Sequence, residues 1–267
     1  MAYYKRLPLD GLVNARDLGG FPTTDGRITK YGVFVRSEVP KELSENDLQF
    51  LKDYGITLSL DLRSASEAKT LPSVFSALDW VTYHPCPMMN EDTAKASKKE
   101  HEETDKNPNP VPPPNADKSF WDIDWAPVYI HILETGCEWV RRIITTTAEW
   151  EGGIHYHCFT GKDRTGIFTA LLLGLCNVDI RDIMWDYSLS QTCLRPFYEK
   201  MDTGILFTKE DGSPDFTRGF YRTAPDTMET VLRHLIDKYG SVTDYIRFCG
   251  VSEDLILKLR DKMTETV

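Results

Sequence analysis

The chain has 267 residues and a formal net charge of −10 at pH 7, with 41% hydrophobic and 27% charged residues. That length and composition suit a soluble globular fold with a real core, and the acidic balance weighs against DNA or RNA as a partner. The six cysteines (Cys86, Cys137, Cys158, Cys176, Cys193 and Cys249) are scattered with no C-x-x-C pair, which argues against a zinc module or a dense disulfide framework and fits a reduced, cytosol-like protein with one reactive thiol.

The opening MAYYKRLPLDG lacks the apolar core of a secretory signal. The longest apolar run, Ile167–Leu175, is too short to span a bilayer. A cytoplasmic location is therefore expected, with leaderless export left open. Val33–Arg36 reads as a strand. Leu43–Tyr54 has helical periodicity, with Ser44 as N-cap and Gly55 as the stop. ITLSLDLR reads as a strand ending near Asp61, and Trp80–His84 as another. This alternation predicts an α/β fold with a mostly parallel central sheet flanked by helices.

Composition shifts near Pro85. Met88–Lys118 is charge-rich, and NPNPVPPP (Asn107–Pro114) cannot be helix or central strand. Residues 85–126 read either as a lid-like insertion within one domain spanning 1–267 or, in their middle part, as a disordered surface loop. Helical periodicity returns with WDIDWAPVYIHILE and is expected to run to about Glu149. GGIHYHC is a strand entering a loop, and Thr165–Val178 is an apolar helix after it. DIRDIMWDYSLS reads as helical, and the tail as three helices broken at Gly240 and Gly250.

The chemistry concentrates in HYHCFTGKDRTG, His155–Gly166. Strand, tight loop and helix together point backbone N–H groups at an anion, and the helix N-terminus adds partial positive charge. A thiol at Cys158, the start of that cradle, is biased toward thiolate and suits attack on phosphorus. Arg164 offers a planar fork for two phosphate oxygens. The amides of Phe159, Thr160, Gly161, Lys162 and Asp163 complete the cradle, with Gly161 and Gly166 permitting close approach.

HCFTGKDRTG resembles the protein tyrosine phosphatase signature: HC, five residues, R, then S or T, then G. NARDLGG (Asn14–Gly20), DGRITKYGVFVRSE, YGITLSLDLRSASE and YGSVTDYI extend the likeness to the bacterial and fungal tyrosine/serine phosphatase family. That family includes secreted phosphatases of intracellular pathogens. The resemblance implies a tyrosine phosphatase-like fold and hydrolysis through a phosphocysteine intermediate, without metal or cofactor. Phosphorylated protein or phosphoinositide is the implied substrate; oligomeric state is left undetermined. It implies Cys158 as nucleophile, Arg164 as phosphate clamp, Thr165 as hydrogen-bond donor to the thiolate, and His157 as orienter of the loop. Lys162 is either a contact for extra inositol phosphates or a general electrostatic helper.

The general acid is less determined. The W-P-D loop of larger tyrosine phosphatases is absent, and the resemblance implies Asp163, since relatives with lysine and aspartate before the arginine use that loop aspartate as the acid; Asp61, Asp122 and Asp124 are the alternatives. Asp61, with Arg63, lies at a strand's carboxyl end, where ligands gather. Asp163 sits between two cations, which favour its carboxylate and oppose proton donation, while a bound dianion works the other way. Arg16 and Asp17 either brace the loop or shape a local turn, and Asp186 and Tyr187 read as packing support.

Several rivals are weaker. A Walker loop needs glycine where Tyr156 stands and Ser or Thr where Asp163 stands. Rhodanese-type sulfurtransferases lack the Arg-Thr-Gly run. An arsenate reductase would want resolving cysteines near Cys158. A catalytically weak phosphate-binding pseudophosphatase is the remaining alternative, although Cys158 and Arg164 are both intact.

Overall fold

The computed structural model describes residues 6–88, 124–200, 209, 211, 215–219 and 221–266. Most of the expected insertion, Asp122 included, lies outside the described residues.

The central sheet has five strands: β1 (Arg16–Asp17), β3 (Phe34–Ser37), β4 (Ile56–Asp61), β5 (Thr82–Pro85) and β6 (Gly153–His157). Their order is β1-β3-β6-β4-β5. The last four are mutually parallel, and only β1 at the edge is antiparallel. A separate ladder pairs β2 (Arg27–Thr29) with β7 (Thr264–Thr266). The fold is α/β with a mostly parallel sheet flanked by helices, as expected from the alternating pattern.

The helices are α1 (Glu45–Asp53), α2 (Ala65–Thr70), α3 (Trp125–Thr135), α4 (Cys137–Glu149), α5 (Asp163–Leu175), α6 (Ile180–Cys193), α7 (Arg195–Lys200), α8 (Pro225–Tyr239), α9 (Val242–Phe248) and α10 (Glu253–Met263). Ser44 and Ser64 each close a capping box on α1 and α2, with Asp47 and Glu67 as the reciprocal acids. The tail forms three helices with breaks at Gly240 and Gly250, both at positive φ.

The single helix expected up to Glu149 is two. Gly136 separates α3 from α4, and a Cβ there would meet the Ile132 carbonyl oxygen at 2.5 Å. From α3, Tyr129 reaches the loop after β6.

β6 runs through the middle of the sheet with all five residues buried. Helix α5 follows it and is buried on almost every side, which explains its unbroken apolar run. Phe34, Tyr156, Trp139 and Phe168 meet edge-to-face between sheet and helices. All six cysteines are free thiols. Cys137 and Cys249, remote in sequence, bring their sulfurs to 2.6 Å. Among the described residues no helix is long and apolar enough to cross a membrane.

Candidate active site

Residues 158–164 link the end of β6 to the first turn of α5, so the loop sits at the carboxyl end of the central strand. Its carbonyls are held one by one. The His157 carbonyl accepts from Leu62 N at 2.9 Å, and the Phe159 carbonyl from Val39 N at 2.9 Å. The Cys158 carbonyl accepts from His157 Nδ1 at 3.0 Å. Asn14 Nδ2 donates to the carbonyls of Thr160 and Gly161, both at 3.1 Å. Arg36 Nη2 adds a bond to the Gly161 carbonyl at 2.7 Å.

A trans peptide points its N–H opposite to its C=O. Carbonyls anchored in the surrounding scaffold therefore turn the amides of residues 158–162 toward the loop's own centre. The result is a nest of donors ending at a helix N-terminus. Gly161 has φ +67°, and a Cβ there would stand 2.3 Å from the Ser37 carbonyl oxygen, so both conformation and space require glycine.

Beneath the nest lies a buried charge cluster. Arg36 Nη1 reaches Asp186 Oδ2 at 2.5 Å, and Arg16 Nε reaches Asp186 Oδ1 at 3.2 Å. Arg16 also donates to the Asn14 side chain that braces the loop. Two guanidinia thus share the Asp186 carboxylate beneath the loop, with the buried Glu38 carboxyl also acting on Arg16. Glu38 accepts from the amides of Val13 and Asn14 and so fixes the backbone that presents Asn14.

Cys158 is only 2% exposed and stands where the strand becomes loop. Arg164 is gripped by Glu67, Nη1 to Oε2 at 2.6 Å and Nη2 to Oε1 at 2.7 Å. Burial pulls the Arg164 pKa down, but Glu67 and the nearby Cys158 and Asp163 outweigh it and raise it above the usual value. The end-on contact with Glu67 leaves Nε–H and the second Nη2 hydrogen on one edge, the geometry that takes two oxygens of a phosphate. The Thr165 hydroxyl is buried without a hydrogen-bond partner, so it makes no bond to Cys158 Sγ here.

Asp163 is the acidic residue of the loop, with its side chain 30% exposed. Lys162 is 2% exposed, with Nζ 3.5 Å from Asp163 Oδ1 and 5.9 Å from the centre of the Trp125 ring. Phe159 meets Phe197 of α7 edge-to-face, and Thr160 is buried.

The other acid candidates stand differently. Asp61 is 1% exposed and paired with Arg63, Oδ2 to Nη2 at 2.6 Å. Tyr83 also donates to it. Burial raises the Asp61 pKa, but His157, Arg63 and Tyr83 together bring it down to about 2. Asp61 and Arg63 thus support the floor under His157, whose Nε2 lies 3.7 Å away, rather than reaching the rim. Asp124 caps α3 through the Ala126 amide. Asp17 shapes a turn, accepting from Gly19, Gly32 and Tyr54. Arg16 braces the loop from below, and Asp186 does more than pack.

A model of the "Tyrosine phosphatase family" matches residues 7–265. The chain belongs to the tyrosine phosphatase family. It is a phosphatase, a hydrolase of phosphate esters. A Nostoc commune relative named "Tyrosine-protein phosphatase" is 27% identical over 86% of this chain and 74% of its own length. The Mycobacterium tuberculosis "Triple specificity protein phosphatase PtpB" is 27% identical over 45% of this chain and 47% of its own.

Sequence reasoning about this phosphatase missed Asn14, Arg36, Glu67 and Tyr129. A signal existed for Arg36: a charge inside the apolar strand Phe-Val-Arg-Ser demands a buried partner. Asn14 lay within a quoted stretch, but nothing local assigns it to a loop 146 residues away.

Proposed function

We propose that this phosphatase hydrolyses phosphate monoesters of phosphorylated protein through a phosphocysteine intermediate formed on Cys158. The observation that carries this is the loop in which the carbonyls of residues 157–161 are each held by the surrounding residues, with Cys158 at its start and Arg164 at its end. Cys158 thiolate attacks phosphorus, and the P–O bond to the leaving group breaks. The amides and Arg164 hold the equatorial oxygens. Asp163, open to the mouth of the loop, gives its proton to the leaving oxygen. Water then attacks phosphocysteine, with Asp163 taking its proton, and the Thr165 hydroxyl turns to the returning thiolate. His157 holds the Cys158 carbonyl, and Phe159 and Thr160 supply the wall and backbone of the cradle. We read residues 1–267 as one phosphatase domain carrying the 85–126 insertion.

The burial of Lys162 against Asp163 and Trp125 supports its reading as an electrostatic helper of the loop. Phosphoinositide turnover would need that side chain to swing out to a second phosphate.

The test is vanadate-sensitive turnover of phosphotyrosine, phosphoserine and phosphoinositide substrates, with C158S as control. Activity that C158S removes, together with a trapped phosphocysteine in wild type, is the expected result. Phosphate binding without Cys158-dependent turnover would instead make the chain a pseudophosphatase. K162A should lower all substrates alike; a loss confined to phosphoinositides would reverse the Lys162 reading.

A further inference from the structure

Asp163 does not hang freely at the loop mouth. Tyr129, 34 residues upstream on α3, donates its hydroxyl hydrogen to Asp163 Oδ1. The phenol is 1% exposed. Its oxygen lies 3.1 Å from the hydroxyl of Tyr187 on α6, itself buried. A hydroxyl has one hydrogen to give. Tyr129 spends its own on Asp163, so the Tyr187 hydroxyl must donate to Tyr129, and the relay runs Tyr187 to Tyr129 to Asp163. Bonds in such a chain polarise one another.

Two helices and the loop lysine thus converge on one carboxyl oxygen. Lys162 Nζ faces the same Oδ1 at 3.5 Å. Oδ2 makes no hydrogen bond among the described residues. Burial, with Asp163 close by, pushes the Tyr129 pKa far above the ordinary phenol value, so this residue stays a donor through the working range. With Oδ1 facing only donors, a proton on the neutral acid has its place on Oδ2.

We propose that Tyr129 is a positioning residue: by pinning Oδ1 it fixes Oδ2 as the oxygen that passes the proton to the leaving group and later takes one from water. This rests on the reading of Asp163 as general acid. The proton on Oδ2 leaves with the departing oxygen as the P–O bond breaks, and Oδ2 regains a proton from the attacking water. Tyr129 keeps its own hydrogen throughout. The same helix α3 carries both Tyr129 and Trp125 to the loop.

The test compares Y129F, D163N and the double variant on phenyl phosphate, a poor leaving group, and p-nitrophenyl phosphate, a good one. D163N should lose roughly 100-fold on phenyl phosphate and far less on the nitrophenyl ester. Y129F should lose about 10-fold and under about 2-fold respectively, and should add nothing in the D163N background. Equal losses for D163N on both esters would remove Asp163 as acid, and this inference with it. A D163N pattern as expected beside a Y129F that matches wild type, or that loses equally on both esters, would overturn this inference alone. If Y129F folds poorly, Y187F carries the test: the same leaving-group pattern at about 3-fold supports the relay, and a flat response overturns it.

Discussion

Glu67 and Arg164 meet end-on across 97 residues of sequence, two charge-assisted hydrogen bonds of 2.6 and 2.7 Å. The contact fixes the plane of the guanidinium before any phosphate arrives. Glu67 is in turn fixed by the Ser64 amide and hydroxyl at the head of α2, so a helix cap orients the phosphate clamp.

Replacing Glu67 by Gln keeps the shape and removes the charge. The E67Q variant should fold, and its kcat/KM should fall by roughly 10- to 50-fold, about 1.4–2.3 kcal/mol of transition-state binding. Vanadate inhibition should weaken in parallel, because vanadate occupies the same cradle. Steady-state kinetics with a vanadate titration checks both.

Gly161→Ala should be worse for the fold than a surface change. The position combines φ +67° with a Cβ site 2.3 Å from the Ser37 carbonyl oxygen. Strain and clash together should cost more than about 2 kcal/mol and distort the nest. Thermal unfolding should show a Tm lower by several degrees, with turnover close to background.

Asp61 contributes to stability only while ionised. Its pKa is lowered from 3.8 to about 2, so the contribution is complete above about pH 4 and is lost as pH falls toward 2. The shift corresponds to roughly 2–3 kcal/mol. The D61N variant also strands the buried Arg63 guanidinium, so the loss at pH 7 should reach about 3–5 kcal/mol. The gap from wild type should narrow below about pH 3. Urea unfolding at pH 7, 4 and 2.5 measures it.

The two histidines of β6 act in another window. Burial holds both pKa values below the ordinary 6.5, His155 further than His157, which Asp61 partly supports. His155 is bonded to Ser37 at 2.8 Å and Ser59 at 2.9 Å. The unfolded chain takes up protons near pH 6.5 that the folded one refuses. Stability is therefore full above pH 6.5 and declines below it, by up to about 1.4 kcal/mol per pH unit for each residue. Denaturation midpoints between pH 7 and 5 should fall accordingly, and more shallowly for H155Q.

The chemistry was legible because it is contiguous. Cys158 to Gly166 places nucleophile, clamp and glycines on one strand-loop-helix junction, and such local geometry follows from local sequence. Caps at Ser44 and the stops at Gly240 and Gly250 are legible for the same reason. The residues that hold the loop are not local. Asn14, Arg36, Glu67 and Tyr129 act across 146, 125, 97 and 34 residues. A polar side chain in sequence shows that it needs a partner and not which one. The β2–β7 ladder was invisible because three-residue strands carry no periodicity. Asp61 and Arg63 were placed correctly at a strand end, but their pairing, which keeps them from the rim, depends on burial that no spacing reveals.

That same β2–β7 ladder bears on how the molecule is made. Arg27–Thr29 pairs with Thr264–Thr266, and Thr29 also bonds to Leu18 and Phe21, just past the Asn14–Asp17 segment under the phosphate loop. During synthesis this N-terminal segment leaves the ribosome long before its partner strand exists. A nascent chain held short of Thr264 would have the whole signature loop and its Glu38 and Asp186 braces, but not the ladder that ties down Arg27–Thr29. Competence for catalysis should therefore appear late in translation, after the signature loop itself has emerged.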